Sequence, residues 1–571
     1  MLVFDPSGII AGMVRYGLAA LAFSACTSPQ YEAWQDEQAK YASTSGSSTG
    51  PSTNATSGEI NGDTTAGGAE GPTPTGTNDA DETGPANDTS TGAATADSTP
   101  SGPPVGDADR PHIVSIELPA KVHAAGPVPL KVQTERTASV QVRLDGLDVG
   151  ELVDAGDGLF TGELAVHGAV DNGSHDVEII AHQGELQDSE PDSYEVSTPA
   201  PGTMAWFKAG PPGSRTNRVA LTPEGDLLEG GQLEINKLTR PSLRKRSGLT
   251  GAELWSVTLD TREGSVADLA ALPDGRVWVA MNVRGPGDPS PQPRIALFDP
   301  AGEFTGIETV GDLGQGVRGI AADATGGCFA VGYAPAGGDL DVAFWRLDAK
   351  GLQTLAGVWD YVPGAAKDHS FWDFAMDVVI DHETAWVIGT SKGEHQGDTN
   401  RPTRGLALPM DLHTGKLLTP AIVAPASVGF PQNVFFGGTL HPAGLLVTGY
   451  GCDTDYSNYR IETSLYSPSG DLTWSQHDLT GTGIRNGNDV AYDSQGRVII
   501  AASVQDNGAL RGYVFARTVG EKAALPLFEH WFPASKPSEA LGVLVDAYDR
   551  IFPAGYITSG SSQARIELIH G

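Results

Sequence analysis

The chain has 571 residues, too many for one ordinary domain, and its 73 glycines and 39 prolines favour turns and linkers over long helices. Its 36 Lys and Arg against 71 Asp and Glu give a formal net charge of -35, which repels phosphate backbones and anionic lipid headgroups and so argues against nucleic acid and against electrostatic membrane binding. Two or three units are expected, with a cation, a sugar or a protein as the class of partner.

The segment from Met13 to Cys26 carries one positive charge at Arg15, a short apolar run and small residues before the cysteine. That is the anatomy of a secretory signal, and residues 1–25 are read as one. Arg15 breaks the apolar stretch between Gly8 and Ala25, leaving too few uninterrupted residues to span about 30 Å of hydrocarbon. Phe23-Ser24-Ala25-Cys26 resembles the bacterial lipobox, with Phe23 in the place of the usual leucine. The resemblance implies a lipid on Cys26, and Thr27 after it implies sorting to the outer membrane of a Gram-negative cell, on its periplasmic or its surface side. Ordinary cleavage nearby, leaving a free thiol, is the alternative.

Residues 26–109 are read as a disordered tether. From Tyr41 to Asp109 the composition is Ser, Thr, Gly, Ala, Pro and Asn, with acids such as Glu59, Asp63, Asp81 and Glu82 and no Lys or Arg, a mixture that cannot bury a core. As a flexible coil of about 69 residues it has an end-to-end distance on the order of 45 Å.

Between residues 110 and 200 short alternating apolar runs begin: Val114/Ile116/Leu118, Val128/Leu130/Val132, Val140/Val142/Leu144, Leu164/Val166 and Val177/Ile179/Ala181. Period two means strands with one buried face. Turn signals at Asp145-Gly146, Asp157-Gly158 and Asp171-Asn172-Gly173 space them as in a hairpin-rich β-sandwich. The run from Gly173 to Ala181 resembles a late strand of bacterial Ig-like domains, which implies a spacer module.

From residue 201 to 571 one phrase recurs: an apolar strand, a turn often carrying Asp and Gly, then a second apolar strand ending near Gly. The copies are Ala220–Leu228, Leu272–Val279, Ala322–Val331, Ile380–Ile388, Leu440–Val447, Tyr492–Ile500 and Val545–Phe552. Their period of about 50 to 60 residues suits four short strands each. A second phrase, as in Leu297–Gly302, Trp345–Gly351 and Leu465–Trp474, supplies the outer strands. The last copy reaches only Arg565–Ile569, while Thr203–Lys208 is a spare strand similar to Glu253–Val257. The spacing therefore predicts a seven-bladed β-propeller closed by that early strand, with Trp206 or Phe207 as its buried side chain. An open β-solenoid or an eighth copy is the alternative. The fold class is all-β: a tether, an Ig-like β-sandwich and a propeller.

The phrase from Asn488 to Val498 resembles bacterial β-propeller repeat proteins, especially exported lipoproteins of myxobacteria-like genomes. The resemblance covers about 370 residues. It implies fold, export and surface display, and it transfers no catalytic residue.

Counted from the Gly of each inner turn, Asp268, Asp377 and Asp489 share one repeat position on the first strand, and Gly319, Gly437 and Gly542 hold it in the alternate blades. Three carboxylates near a central channel suit Ca²⁺, an oxygen-seeking ion and the one cofactor the sequence raises. The preferred reading is structural: an inner-strand Asp accepts hydrogen bonds from backbone N–H groups of a neighbouring blade. Arg318 is the basic residue beside this position. Tyr333, Tyr450 and Tyr556 each follow Gly at the end of a second strand, where aromatics stack on sugars or peptides or, more often, fill space between blades.

Weaker patterns remain. The run from Cys452 to Asn458 alternates oxygen side chains but lacks the glycine and distal glutamate of an EF-hand. Gly389-Thr390-Ser391-Lys392-Gly393 matches the hydrolase elbow as a string, yet ends a strand with no helix after it. His369, His382 and His395 lack zinc spacing. Cys328 and Cys452 fall in repeats two apart, so two unpaired thiols are preferred to a disulfide, which needs Cα atoms within about 7 Å.

No catalytic residue is assigned. The reading is a lipid-anchored, monomeric binding or scaffold protein of the cell envelope with a protein or glycan ligand, touching the membrane only through its anchor. The alternative is a propeller lyase or hydrolase acting on extracellular polysaccharide through a central acidic site.

Overall fold

The computed structural model describes residues 109–571 apart from 288–289, 313, 337–338, 361–371, 393–401, 427–428, 455, 507, 521–524 and 534. Cys26 and the tether lie outside the described residues, as do His369, His395 and Gly393. The fold is all-β and made of small antiparallel sheets. Among the described residues no helix is long and apolar enough to cross a membrane.

Residues 112–196 form two sheets. One has the order His112–Glu117, Gly126–Glu135, Leu159–Val166, Val153–Gly156; the other runs Lys121–Val122, Leu186–Val196, Gly173–Gln183, Ser139–Leu144, Leu147–Glu151. Alternation decides what they bury: Val128, Leu130 and Val132 of the first sheet meet Val140, Val142, Val177 and Ile179 of the second in one shared core. Asp145-Gly146 and Asp157-Gly158 have positive φ at both residues (50° and 81°; 55° and 74°), as primed hairpin turns require. The first strand departs from expectation. A register shift between Ile113 and Ser115 turns Val114 outward, 52% exposed, and puts Ile113 in the core instead.

Beyond residue 203 the strands group into sevens and fours. The seven first strands are Ser214–Leu221, Glu263–Ala271, Gly316–Ala322, Trp372–Asp381, Gln432–His441, Arg485–Tyr492 and Ser538–Val545. Each opens a four-stranded antiparallel run, and the third and fourth runs join in one sheet through the single parallel pair Leu340 and Trp372. The seventh sheet takes its outermost strand from Met204–Pro212, which pairs with Ser561–Ile569. The expected early strand is therefore present. Its apolar contact is made by Trp206, whose ring lies 6.3 Å from Phe552, whereas Phe207 is 49% exposed.

The sheets succeed one another cyclically. A separate apolar core lies between the first and second sheets, the second and third, and so on to the sixth and seventh. A last core joins the seventh to the first through Leu227, Phe552, Ala554, Ile566 and Leu568. Because inner strands are covered on both faces, they read as unbroken apolar runs, as in Val277-Trp278-Val279-Ala280-Met281, all buried. Cys328 sits in the core between the second and third sheets, and Cys452 is buried as well, both as free thiols.

The recurring turn has a local cause. In Asp493–Arg497 the Asp493 carboxylate accepts from the backbone N–H of Gln495 and Arg497 and pairs with the Arg497 guanidinium. Asp546–Arg550 repeats the pattern. The fourth residue of such turns is left-handed: Gly225, Gly275, Gly326 and Gly496 have φ between 72° and 87°. Asp549 takes that place in the seventh sheet at φ 59°, and its carboxylate accepts from Ser494 N–H and Oγ of the sixth.

Candidate functional site

Every first strand carries a β-bulge at the same repeat position. The register shifts fall just before Arg218, Asp268, Gly319, Asp377, Gly437, Asp489 and Gly542. A bulge leaves backbone N–H groups out of the ladder, and the side chains at this position serve them. Asp268 Oδ1 accepts from Leu269 N–H at 2.8 Å, and its Oδ2 accepts from Ile320 N–H of the third sheet at 2.8 Å. Asp377 does the same with Val378 (2.8 Å) and Gly438 of the fifth sheet (2.9 Å), and Asp489 with Val490 (2.9 Å) and Val543 of the seventh (2.9 Å). Each carboxylate staples its own bulge to that of the next sheet.

Glycine at two of the three intervening positions is a matter of space. A Cβ on Gly319 would lie 2.7 Å from the Asp377 Cα, and one on Gly437 would lie 3.0 Å from the Asn488 carbonyl oxygen and the Asp489 Cα. The order around the array is thus Arg, Asp, Gly, Asp, Gly, Asp, Gly. Three Asp–Gly staples serve six sheets, and the first sheet carries Arg218. There the polarity inverts: Arg218 Nη1 donates to the Leu541 carbonyl of the seventh sheet at 2.8 Å and to Asn217 O at 3.2 Å, while its Nε lies 3.9 Å from Asp268 Oδ1. Asn217 and Asn488, one residue earlier, donate to the carbonyls of Val266 and Ala540 on neighbouring sheets.

Arg218, Asp268, Asp377 and Asp489 line a cavity of about 540 Å³ that extends to the turns holding Asp493, Ser494, Asp546 and Asp549. Burial pushes Asp268 up to about 6 against the pull of Arg218, and burial together with the charge of Asp268 pushes Asp377 up to about 8. Burial raises Asp489 as well. Burial opposes the charge on Arg218, but Asp489, Asp268 and Asp377 hold its guanidinium above its ordinary value.

The structure brings Asp268, Asp377 and Asp489 together around one cavity, and the other candidates lie elsewhere. Arg318 is not among the cavity-lining residues; its guanidinium lies 5.5 Å from the Tyr333 ring. Tyr450 is buried against Phe436 and Tyr459. Tyr556 is buried under the Arg215 guanidinium and donates its hydroxyl to Glu539. In the Cys452–Asn458 run, Asp453 accepts from Ser457 N–H, Ser457 Oγ and Asn458 Nδ2, which hold its carboxyl down at about 2. Ser391 lies inside a strand, Thr384–Lys392.

Two features escaped the sequence reading. Arg218 stands seven residues ahead of Gly225, the same offset that separates Asp268 from Gly275 and Asp489 from Gly496, so extending the count to the first copy finds it. Among the described residues, the group of three or more His, Cys, Asp or Glu side chains whose ligand atoms all lie within 4.8 Å of one another is Asp341, Asp360 and Asp373, not Asp268, Asp377 and Asp489. Burial and Asp360 push Asp341 up to about 6. This cluster joins the third sheet to the fourth, and no repeat spacing marks it.

No protein-family model matches the chain, and no curated protein does. Solved structures similar to it include hydrazine synthase of Kuenenia stuttgartiensis, at 13% identity and TM-score 0.41, over 60% of this chain and 92% of that one. Another is Sqt1 from Chaetomium thermophilum, at 12% identity and TM-score 0.35, over 62% of this chain and 82% of that one. Likenesses of this degree carry no inference about either fold or function.

Proposed function

We propose that residues 110–200 are an Ig-like β-sandwich and residues 201–571 a seven-bladed β-propeller, exported behind a signal peptide, lipidated at Cys26 and held off the outer membrane by the tether. The assembly serves as a binding or scaffold protein of the cell envelope for a protein or glycan ligand. Seven interfacial cores in cyclic order, the last joining seventh sheet to first, support the propeller reading. The core shared by two sheets supports the sandwich reading.

One observation carries the non-catalytic assignment. Each ring carboxylate already accepts from two backbone N–H groups on two sheets. A general acid or base must re-aim an oxygen at a substrate proton, and turning either oxygen away from its N–H would break a staple and open a bulge. Ligands then meet the loops that the rigid frame presents.

An array of glycans and cell-envelope proteins probed with the full chain tests the assignment. Saturable binding that survives Asp377→Asn supports it. Turnover of a polysaccharide panel, abolished by replacing Asp377 or Asp489, would replace it with the lyase or hydrolase reading.

A further inference from the structure

An Asp–Gly staple occupies two neighbouring sheets, so staples tile an even ring completely and an odd ring never. Seven sheets leave one over, and Arg218 stands in it. Its contact with Leu541 O lies where the first and seventh sheets meet, beside the core that closes the array. Three carboxylates then line one cavity with a single buried guanidinium, which lies 3.9 Å from Asp268: Arg218 is 5% exposed, Asp268 7% and Asp377 9%, and Asp489 is partly buried. With all three ionised, two negative charges remain uncompensated in a site of low polarisability, where like charges strongly disfavour full ionisation.

We propose that Arg218, Asp268, Asp377 and Asp489 form a proton-retaining clasp: the closed ring keeps one proton on its carboxylates at neutral pH, and loss of that proton weakens the array where it closes.

The groups facing the clasp are few. The third, fifth and seventh sheets present Gly319, Gly437 and Gly542, which bring no charge. Of the other acids lining the cavity, Asp493 pairs with Arg497 and Asp546 with Arg550 within their own turns, and Asp549 accepts from Ser494 of the sixth sheet. Arg218 is therefore the cation that lines the cavity beside the triad. The upward displacement of Asp268 and Asp377 agrees with the geometry. The sign follows from linkage. A carboxyl that holds its proton more tightly folded than unfolded stabilises the fold at low pH, and that contribution is lost as pH rises through the folded value, here up to about 8 for Asp377.

The test is thermal unfolding of the full chain between pH 6.5 and 9. Wild type should lose melting temperature across this window, and Asp377→Asn, which cannot ionise, should lose markedly less. Arg218→Met should lose more than wild type, and the double variant Arg218→Met/Asp377→Asn should regain part of that loss at pH 9. Equal slopes for wild type and Asp377→Asn overturn the proposal. If the variants do not fold, the dependence of the wild-type unfolding heat on buffer ionisation enthalpy at pH 7 decides. Release of about one proton supports the clasp, and release of none refutes it.

Discussion

A chain that begins at Ser214 lacks the strand Met204–Pro212 but keeps the first strand Ser214–Leu221 whole, and this loss is the sharpest test of closure. That strand pairs Met204 with Ile569, Trp206 with Leu568, Phe207 with Glu567, Lys208 with Ile566 and Ala209 with Arg565. Backbone bonds outside the strand extend the pairing, Gly202 N–H to His570 O at 2.8 Å and His570 N–H to Thr203 O at 2.9 Å. Trp206 covers Phe552 and donates Nε1–H to Leu249 O at 2.9 Å. Ladder bonds contribute about 1 kcal/mol net each, and a half-buried Trp about 1.5 kcal/mol, the lower end for a large apolar side chain. With a handful of bonds lost, the cost is on the order of 6 kcal/mol, comparable with the whole stability of many domains. Two unpaired strand edges would also be exposed to other chains. Calorimetry should place the melting temperature of this chain about 8 °C below that of one beginning at Pro201, with aggregation on heating. Equal melting temperatures for the two would refute the closure by Met204–Pro212.

Gly319→Ala should destabilise by about 2 kcal/mol or more, because its Cβ would lie 2.7 Å from backbone of Asp377, whereas Gly542→Ala, with nothing nearer than 3.5 Å, should be close to neutral. Denaturant midpoints compare them, and similar losses at both positions would contradict the packing given for the ring. Cys26→Ser should move the protein from membrane to soluble fractions with its melting curve unchanged; detergent-dependent membrane retention in the variant would reject lipidation there. Partial desolvation and the Arg460 charge push His477 down to about 4 although its side chain is still 35% exposed, so the folded chain resists a proton that the unfolded chain accepts below about 6.5. Stability from this residue is present above that value and is lost as pH falls toward 4. His477→Gln should therefore soften the fall in melting temperature between pH 6.5 and 4, by an amount that solvent screening of this exposed side chain keeps small, and an unaltered profile would show that Arg460 does not hold His477 neutral.

Local rules explain what the sequence determined by itself. The Asp-x-x-Gly-Arg turn is specified within five residues by a side chain bonding its own backbone and by a left-handed fourth position, so Asp493–Arg497 announces its hairpin wherever it stands. Period-two alternation likewise gave the strands of residues 110–200, and the spare strand at Thr203–Lys208 followed from counting an incomplete last copy. Position in the repeat located Asp268, Asp377 and Asp489. What those carboxylates do was decided by residues some 52 to 61 positions away, since the N–H groups of Ile320, Gly438 and Val543 that they accept from belong to the next sheet. The same holds for Arg218, whose partner Leu541 lies 323 residues along the chain, and for the approach of Asp341, Asp360 and Asp373. A one-residue bulge after Ile113 reversed which side chain is buried, and only the pairing of Trp206 against Phe552 showed which of two adjacent aromatics faces the core. Bonds within a turn are encoded where they form, whereas a side chain's charge and burial depend on the neighbours that closure of the array brings to it.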